Sequence, residues 1–263
     1  MHRLTPCLAL MLLSAPAVAA MQAKPVEWKV GEDRFSGTLV FDDASAGKRP
    51  GLVMVPNWMG VNDSAVEKAR AIAGDDYVVL VADVYGAGAR PKNAEEALAQ
   101  VRKVYADGGV RLRARVNEAV KVLKAQAGTA PLDVARIGAF GFCFGGSAVL
   151  ELARSGADIA GVVSLHGGLE TYLPTGGNDI RTSILVLNGA DDASVTDAHI
   201  AAFEKEMDAA RADWQFVDFS GAVHCFTQPE SNDPPNCAYN QRASTRAFEM
   251  LHDFFRERFA AAP

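Results

Sequence analysis

The sequence predicts an α/β fold built on a mostly parallel central sheet with helices on both faces. Three observations lead there. Short, continuous apolar runs recur at strand length, as in strands covered on both sides. They alternate with stretches of helical spacing, the arrangement that yields parallel βαβ crossovers. One strand–helix junction is rich in glycine, Gly141-Phe142-Cys143-Phe144-Gly145-Gly146. With 263 residues, 49% of them hydrophobic, the chain can bury a full core.

In chain order, residues 26–30 and 34–41 read as two strands around Gly31-Glu32-Asp33, a hairpin. Residues 42–50 are polar and read as a loop. Residues 51–55 form an apolar run and a buried strand. Residues 63–73 have helical spacing, and 77–82 form the next buried strand. Residues 94–105 and 111–127 are spaced as helices and end near Gly108 and Gly128. Residues 137–142 form the strand before the glycine-rich turn, with a helix from Ser147. Residues 159–165 and 183–187 are two further strands, 198–210 an amphipathic helix, 214–219 a last strand and 239–259 a long closing helix.

The junction at Cys143 has the G-x-S-x-G pattern of a nucleophile elbow, with cysteine in the nucleophile's place. The turn is sharp and strained, and a Cβ at Gly141 or Gly145 would collide where strand meets helix. Such a turn lifts the sulfur above the carboxyl end of the sheet, where ligands bind in this class of fold. It also aims the Phe144 N–H at a developing oxyanion, and a helix N-terminus beside a thiol favours thiolate. Read alone, the motif also fits a buried cysteine at a tight junction.

The residues after the other strands supply partners. His166 follows the strand at 159–165, Asp191 and Asp192 follow 183–187, and His224 follows 214–219. Nucleophile, acid and histidine then occur in the chain order of α/β-hydrolases. A thiol of ordinary pKa is mostly protonated at neutral pH. A carboxylate-oriented histidine can take its proton and later pass one to a leaving alkoxide. Gly189-Ala190-Asp191-Asp192-Ala193-Ser194-Val195 fits G-x-x-D-x-x-V and favours Asp192 over Asp191; either could instead cap the helix near Ala198. His166 is read as a second histidine near the pocket or a hydrogen-bonded structural residue. His199 and His252 are assigned to helix surfaces. No cluster has metal-ligand spacing, and neither a P-loop nor a dinucleotide fingerprint is found, so no metal and no cofactor are expected.

The net charge of −6 offers no electrostatic footprint for nucleic acid. Residues 1–20 read as a secretory signal peptide: a weakly basic start, a small apolar run broken by Ser14 and Pro16, and small residues for cleavage after Ala19 or Ala20. That run is too short for a membrane span, which needs about 20 residues. The expectation is an exported, periplasmic or extracellular protein, one α/β domain over residues 21–263, with oligomeric state undetermined. Four cysteines less Cys7 leave Cys143, Cys225 and Cys237. An odd number in an oxidising compartment suggests one bridge, Cys225–Cys237, and one free thiol, Cys143, against the alternative of three reduced cysteines.

These residues resemble the dienelactone hydrolase family of α/β-hydrolases, from about residue 26 to 259. The resemblance rests on Gly141 to Gly146, the Asp192 segment, Gly221-Ala222-Val223-His224, the loop Pro56-Asn57-Trp58-Met59-Gly60-Val61-Asn62 and Asp83-Val84-Tyr85. It implies cofactor-free hydrolysis of ester or lactone bonds. Cys143 would be nucleophile, His224 base and Asp192 its orienter, with the N–H groups of Trp58 and Phe144 as oxyanion hole. Asn57, Met59, Tyr85, His166, Phe226 and Gln228 would surround the substrate. Two positions depart from the family pattern: Asn57 stands where a glutamate contacts the resting thiol, and Gln228 lies in the stretch where the founding type holds a substrate carboxylate with arginine. A neutral ester or lactone therefore fits better than a carboxylated dienelactone. Thioester hydrolysis, non-hydrolytic binding and thiol redox chemistry are the competing readings.

Overall fold

A computed structural model describes residues 21–44, 47–173, 175 and 179–260. Residues 1–20, read above as a signal peptide, lie outside them. Ten strands and six α-helices are assigned among the described residues. Two strands, β1 (Met21–Val30) and β2 (Asp33–Asp42), form the expected hairpin, paired antiparallel across their full length. They lead into β3 (Arg49–Val55), β4 (Val78–Val81), β5 (Leu132–Phe142), β6 (Gly161–Leu165), β7 (Ser183–Gly189) and β8 (Trp214–Phe219). The eight strands make one sheet in the order β1-β2-β4-β3-β5-β6-β7-β8. Every pairing from β4 to β8 is parallel; β1–β2 and β2–β4 are antiparallel.

Side chains alternate across each central strand into two apolar layers. Val53 and Val55 face one layer with Ile184 and Val186, while Leu52 and Met54 face the other with Leu185 and Leu187. The second layer is closed by α1 (Asp63–Ala73) and α6 (Gln241–Ala260), through Ala69, Ile72, Ala247, Leu251 and Phe255. The first is closed by α2 (Ala94–Tyr105), α3 (Val110–Lys124), α4 (Phe144–Arg154) and α5 (Asp197–Ala209), through Val104, Leu112, Val149 and Phe203. Helices on both faces explain why the central strands read as unbroken apolar runs.

The boundaries differ from the sequence reading where polar residues have buried partners. Strand β3 begins at Arg49 inside the expected polar loop, because the buried Arg49 guanidinium donates to the Asp42 and Asp75 carbonyls. Strand β5 starts five residues before Ile137 and pairs with β3 across a bulge at Pro50/Gly51. Helix α4 starts at Phe144, three residues before Ser147, because the turn at Cys143 is a single residue. A two-residue ladder, β9 (Asn232–Asp233) and β10 (Cys237–Ala238), lies between the last expected strand and the closing helix. The Cys225–Cys237 disulfide is present, and Cys143 is free. His252 is not simply a surface residue: its ring stacks on Tyr77 at 5.8 Å. Among the described residues no helix is long and apolar enough to cross a membrane, and no group of three or more His, Cys, Asp or Glu could hold a metal.

Candidate active site

Cys143 stands alone between β5 and α4 with φ 54° and ψ −120°, a conformation that costs a non-glycine residue energy. The glycines around it are required by close approach. A Cβ on Gly141 would lie 2.2 Å from the Gly145 carbonyl oxygen, and one on Gly145 would lie 2.0 Å from that of Val55. With no side chain at either position, strand and helix close on each other and the thiol is presented at the sheet's carboxyl edge. Phe144 is the first residue of α4, so its N–H has no carbonyl one turn earlier to donate to.

Two further strand ends bring the partners. His224, after β8, has Nε2 3.0 Å from Cys143 Sγ and Nδ1 2.7 Å from Asp192 Oδ2. Asp192, after β7, is 4% exposed, and its Oδ1 accepts from both the N–H (2.9 Å) and the hydroxyl (2.6 Å) of Ser194. Asp191 points to solvent and contributes only its N–H, to the Ala222 carbonyl at 2.9 Å. Of the two carboxylates, Asp192 is therefore the one on the histidine. Ser194 was not singled out from the sequence; it lies in the same G-x-x-D-x-x-V segment, two residues past the acid.

The electrostatics follow from this arrangement. Burial disfavours the charged ring of His224, but hydrogen bonds to Asp192 and Cys143 and their negative charge outweigh it, and its pKa is raised to about 10. Asp192 shows the converse. Burial opposes its ionisation, and the hydrogen bonds from His224 and Ser194 overcome that and hold its carboxyl below the usual range. His166 is fully buried, which keeps its pKa well below 6.5. It packs its ring edge-to-face on His224 at 5.2 Å, and Nε2 pairs with Thr227 Oγ1 at 2.8 Å. His166 thus lies beneath the site as a neutral ring.

The loop after β3 forms a turn, with the Gly60 N–H donating to the Asn57 carbonyl at 2.9 Å and Met59 N–H to Asn57 Oδ1 at 3.0 Å. This leaves the Trp58 N–H without an acceptor inside the turn. Tyr85 fixes that peptide from below, its hydroxyl donating to the Trp58 carbonyl at 3.0 Å while its ring stacks on Phe144 at 5.4 Å. Asn57 Nδ2 donates to Gln228 Oε1. The two positions that depart from the family pattern are bonded to each other.

Cys143 and His224 open into a cleft of about 390 Å³. Its walls are Trp58 and Phe144, together with Leu98, Val101, Arg102 and Tyr105 of α2, Ser147 of α4, and Gly168, Glu170 and Tyr172 after β6. The expected substrate-contacting set is largely displaced from it. Tyr85, His166 and Phe226 are buried packing residues: the first supports the Trp58 turn, the second underlies His224, and the third packs on His166 and Phe219. Asn57, Met59 and Gln228 line a smaller, separate cavity with Lys68 and Glu230, which pair at 2.6 Å. The α2 and Tyr172 walls escaped sequence reading because they sit on elements that carry no motif. The apolar positions on the outer face of α2, Leu98 and Val101, were the available signal.

Comparison with known proteins bears on the family and the fold. The sequence model of the dienelactone hydrolase family matches residues 35–259. A dienelactone hydrolase-like promiscuous phosphotriesterase from metagenomic libraries superposes with a TM-score of 0.84 at 35% identity, covering 91% of this chain and 99% of that one. An uncharacterized Caenorhabditis elegans protein is 34% identical over 161 residues, 59% of this chain and 98% of its own. The dienelactone hydrolase of Anabaena variabilis shares the fold, with a TM-score of 0.63 at 20% identity over 90% of this chain and 98% of its own.

Proposed function

The chain belongs to the dienelactone hydrolase family, which makes it a hydrolase of ester or lactone bonds, and from that premise we propose a Cys143-His224-Asp192 triad working through an acyl-enzyme. The observation that carries the reading is the position of His224, within hydrogen-bond reach of the thiol on one ring nitrogen and of a buried carboxylate on the other.

In this reading His224 holds the thiol proton while Cys143 Sγ adds to the ester carbonyl. The oxyanion forms against the N–H groups of Trp58 and Phe144, and loss of one such donor costs about 2.7–4 kcal/mol of barrier. Collapse of the tetrahedral intermediate breaks the C–O bond, and His224 gives its proton to the departing alkoxide. Water, deprotonated by the now neutral His224, then cleaves the thioester, releases the acid and restores the thiol. Asp192 keeps the ring oriented and balances the imidazolium.

The cleft supports a neutral ester or lactone with an apolar or aromatic group. Trp58, Leu98, Val101, Tyr105, Phe144 and Tyr172 supply apolar wall, and the charged rim residues Arg102 and Glu170 are of opposite sign. A neutral phosphotriester is a second candidate, favoured by the 35% identity to a protein named for that activity. Export to an oxidising compartment belongs to the same proposal, supported by the leader-like residues 1–20 and the Cys225–Cys237 bridge.

The test is hydrolysis of 4-nitrophenyl acetate before and after iodoacetamide, with mass spectrometry to locate the label. Activity lost in step with labelling of Cys143 is expected. Full activity with Cys143 alkylated, or in a folded Cys143→Ala variant, would overturn the triad.

A further inference from the structure

The residue after His224 is Cys225, and its disulfide partner Cys237 lies on β10, the short strand that also holds the histidine's own backbone. His224 and Cys237 form an isolated parallel bridge, and the Ala238 N–H donates to the His224 carbonyl at 3.0 Å. One residue is thus tied through its peptide and the next through its side chain, to the same two-residue strand. The covalent tie spans Cα atoms 5.1 Å apart. Cys225 is held at φ 62°, a left-handed conformation that a non-glycine residue adopts when its surroundings over-determine it. Without the bond, β10 would rest on backbone hydrogen bonds: the two-residue ladder with β9, Ala238 N–H to His224, and the neighbouring Tyr239 N–H to Ser231 and Asn240 N–H to Phe226.

We propose that the Cys225–Cys237 disulfide is a positioning clamp for His224, and that its reduction by a dithiol lowers turnover while leaving the sheet folded. This rests on the role given to His224 above. The chemistry balances simply: a dithiol supplies two electrons and two protons, Cys225 and Cys237 become thiols, and the reductant closes to its own disulfide. The clamp acts on the ring's placement over Cys143 and not on the cleft walls, which come from α2, α4 and the segment after β6. A displacement of about 1 Å at a catalytic group can cost about a hundredfold in rate.

The experiment compares wild type with Cys225→Ser/Cys237→Ser. It reads kcat and KM for 4-nitrophenyl acetate and the pH profile of Cys143 alkylation, beside His224→Ala as reference. The expected result is a kcat at least about tenfold lower, a KM changed less than about twofold, and an alkylation profile moved toward that of His224→Ala. A double variant that folds cooperatively and keeps both the wild-type kcat and the wild-type alkylation profile would overturn the clamp. If the double variant does not fold, wild type treated with dithiothreitol replaces it, with peptide mapping to show both thiols free. Unfolding there too would make the bond a global staple and overturn the proposal. Absence of ester hydrolysis in untreated wild type counts against the proposed function alone, and the alkylation profile still decides the clamp.

Discussion

Asn57 and Gln228, 171 residues apart in the chain, join the turn that carries Trp58 to the loop that carries His224 through a single side-chain hydrogen bond. Both are neutral amides. Asn57 donates to Gln228 through Nδ2 and accepts from the Met59 N–H through Oδ1. His224 itself has Nε2 3.0 Å from Cys143 Sγ.

Removing that link should loosen the oxyanion turn more than the fold. Gln228→Ala is expected to lower thermal stability by about 1 kcal/mol, the usual net worth of such a bond, and to reduce kcat for an activated ester severalfold. Calorimetry with steady-state kinetics reads both, and unchanged kcat would show that the turn holds without Gln228.

The two adjacent acids should separate cleanly. Asp192→Asn is expected to lower kcat by about 10³-fold or more, because it removes the charge that balances imidazolium and allows the wrong tautomer. Asp191→Asn, at an exposed side chain whose contact is made by the backbone, should stay within about twofold. Equal losses in both variants would reverse the assignment.

The raised pKa of His224 sets a pH dependence of stability. A group whose folded pKa lies above its unfolded 6.5 stabilises fully below 6.5, and that contribution is lost as pH rises toward about 10. The lowered carboxyl of Asp192 works in the other direction: it stabilises above the ordinary carboxylate range and is lost as acid titrates it. Denaturant unfolding should therefore show the gap between wild type and His224→Gln narrowing from pH 6.5 to 10. A gap that widens over this range would mean that the ring is not held as a cation.

The elbow's sterics allow a severe test. Gly145→Ala would place a methyl 2.0 Å from the backbone carbonyl oxygen of Val55, where the first turn of α4 meets the end of β3. The variant should lose more than about 3 kcal/mol of stability or fail to accumulate as folded protein. Gly128→Ala, with nothing within 4 Å of the added carbon, is the control and should be close to neutral.

Much of the fold was legible before the structure because its causes are local. Strands buried on both faces must be apolar throughout, so residues 51–55, 77–82 and 183–187 stood out as runs. Boundaries slipped where the cause was distant. Arg49 joins β3 only because carbonyls from two other segments accept its guanidinium, and β9–β10 exists beside the Cys225–Cys237 bond and the His224 backbone.

The site divides along the same line. The sequence by itself determined the α/β class, the elbow at Cys143 and the order cysteine, acid, histidine, because tight turns need glycine within a few residues and because reactive side chains follow strand ends. The spacing G-x-x-D-x-x-V already favoured Asp192 over Asp191; tertiary structure adds the contact itself, turning Asp192 onto His224 and leaving Asp191 exposed. It also decided the cleft. Tyr85, His166 and Phe226 follow strand ends but are buried, while Leu98, Tyr105 and Tyr172, from elements that carry no motif, line the cleft that holds the thiol. Which side chain faces a substrate is a property of packing through space, and packing is not written in neighbouring residues.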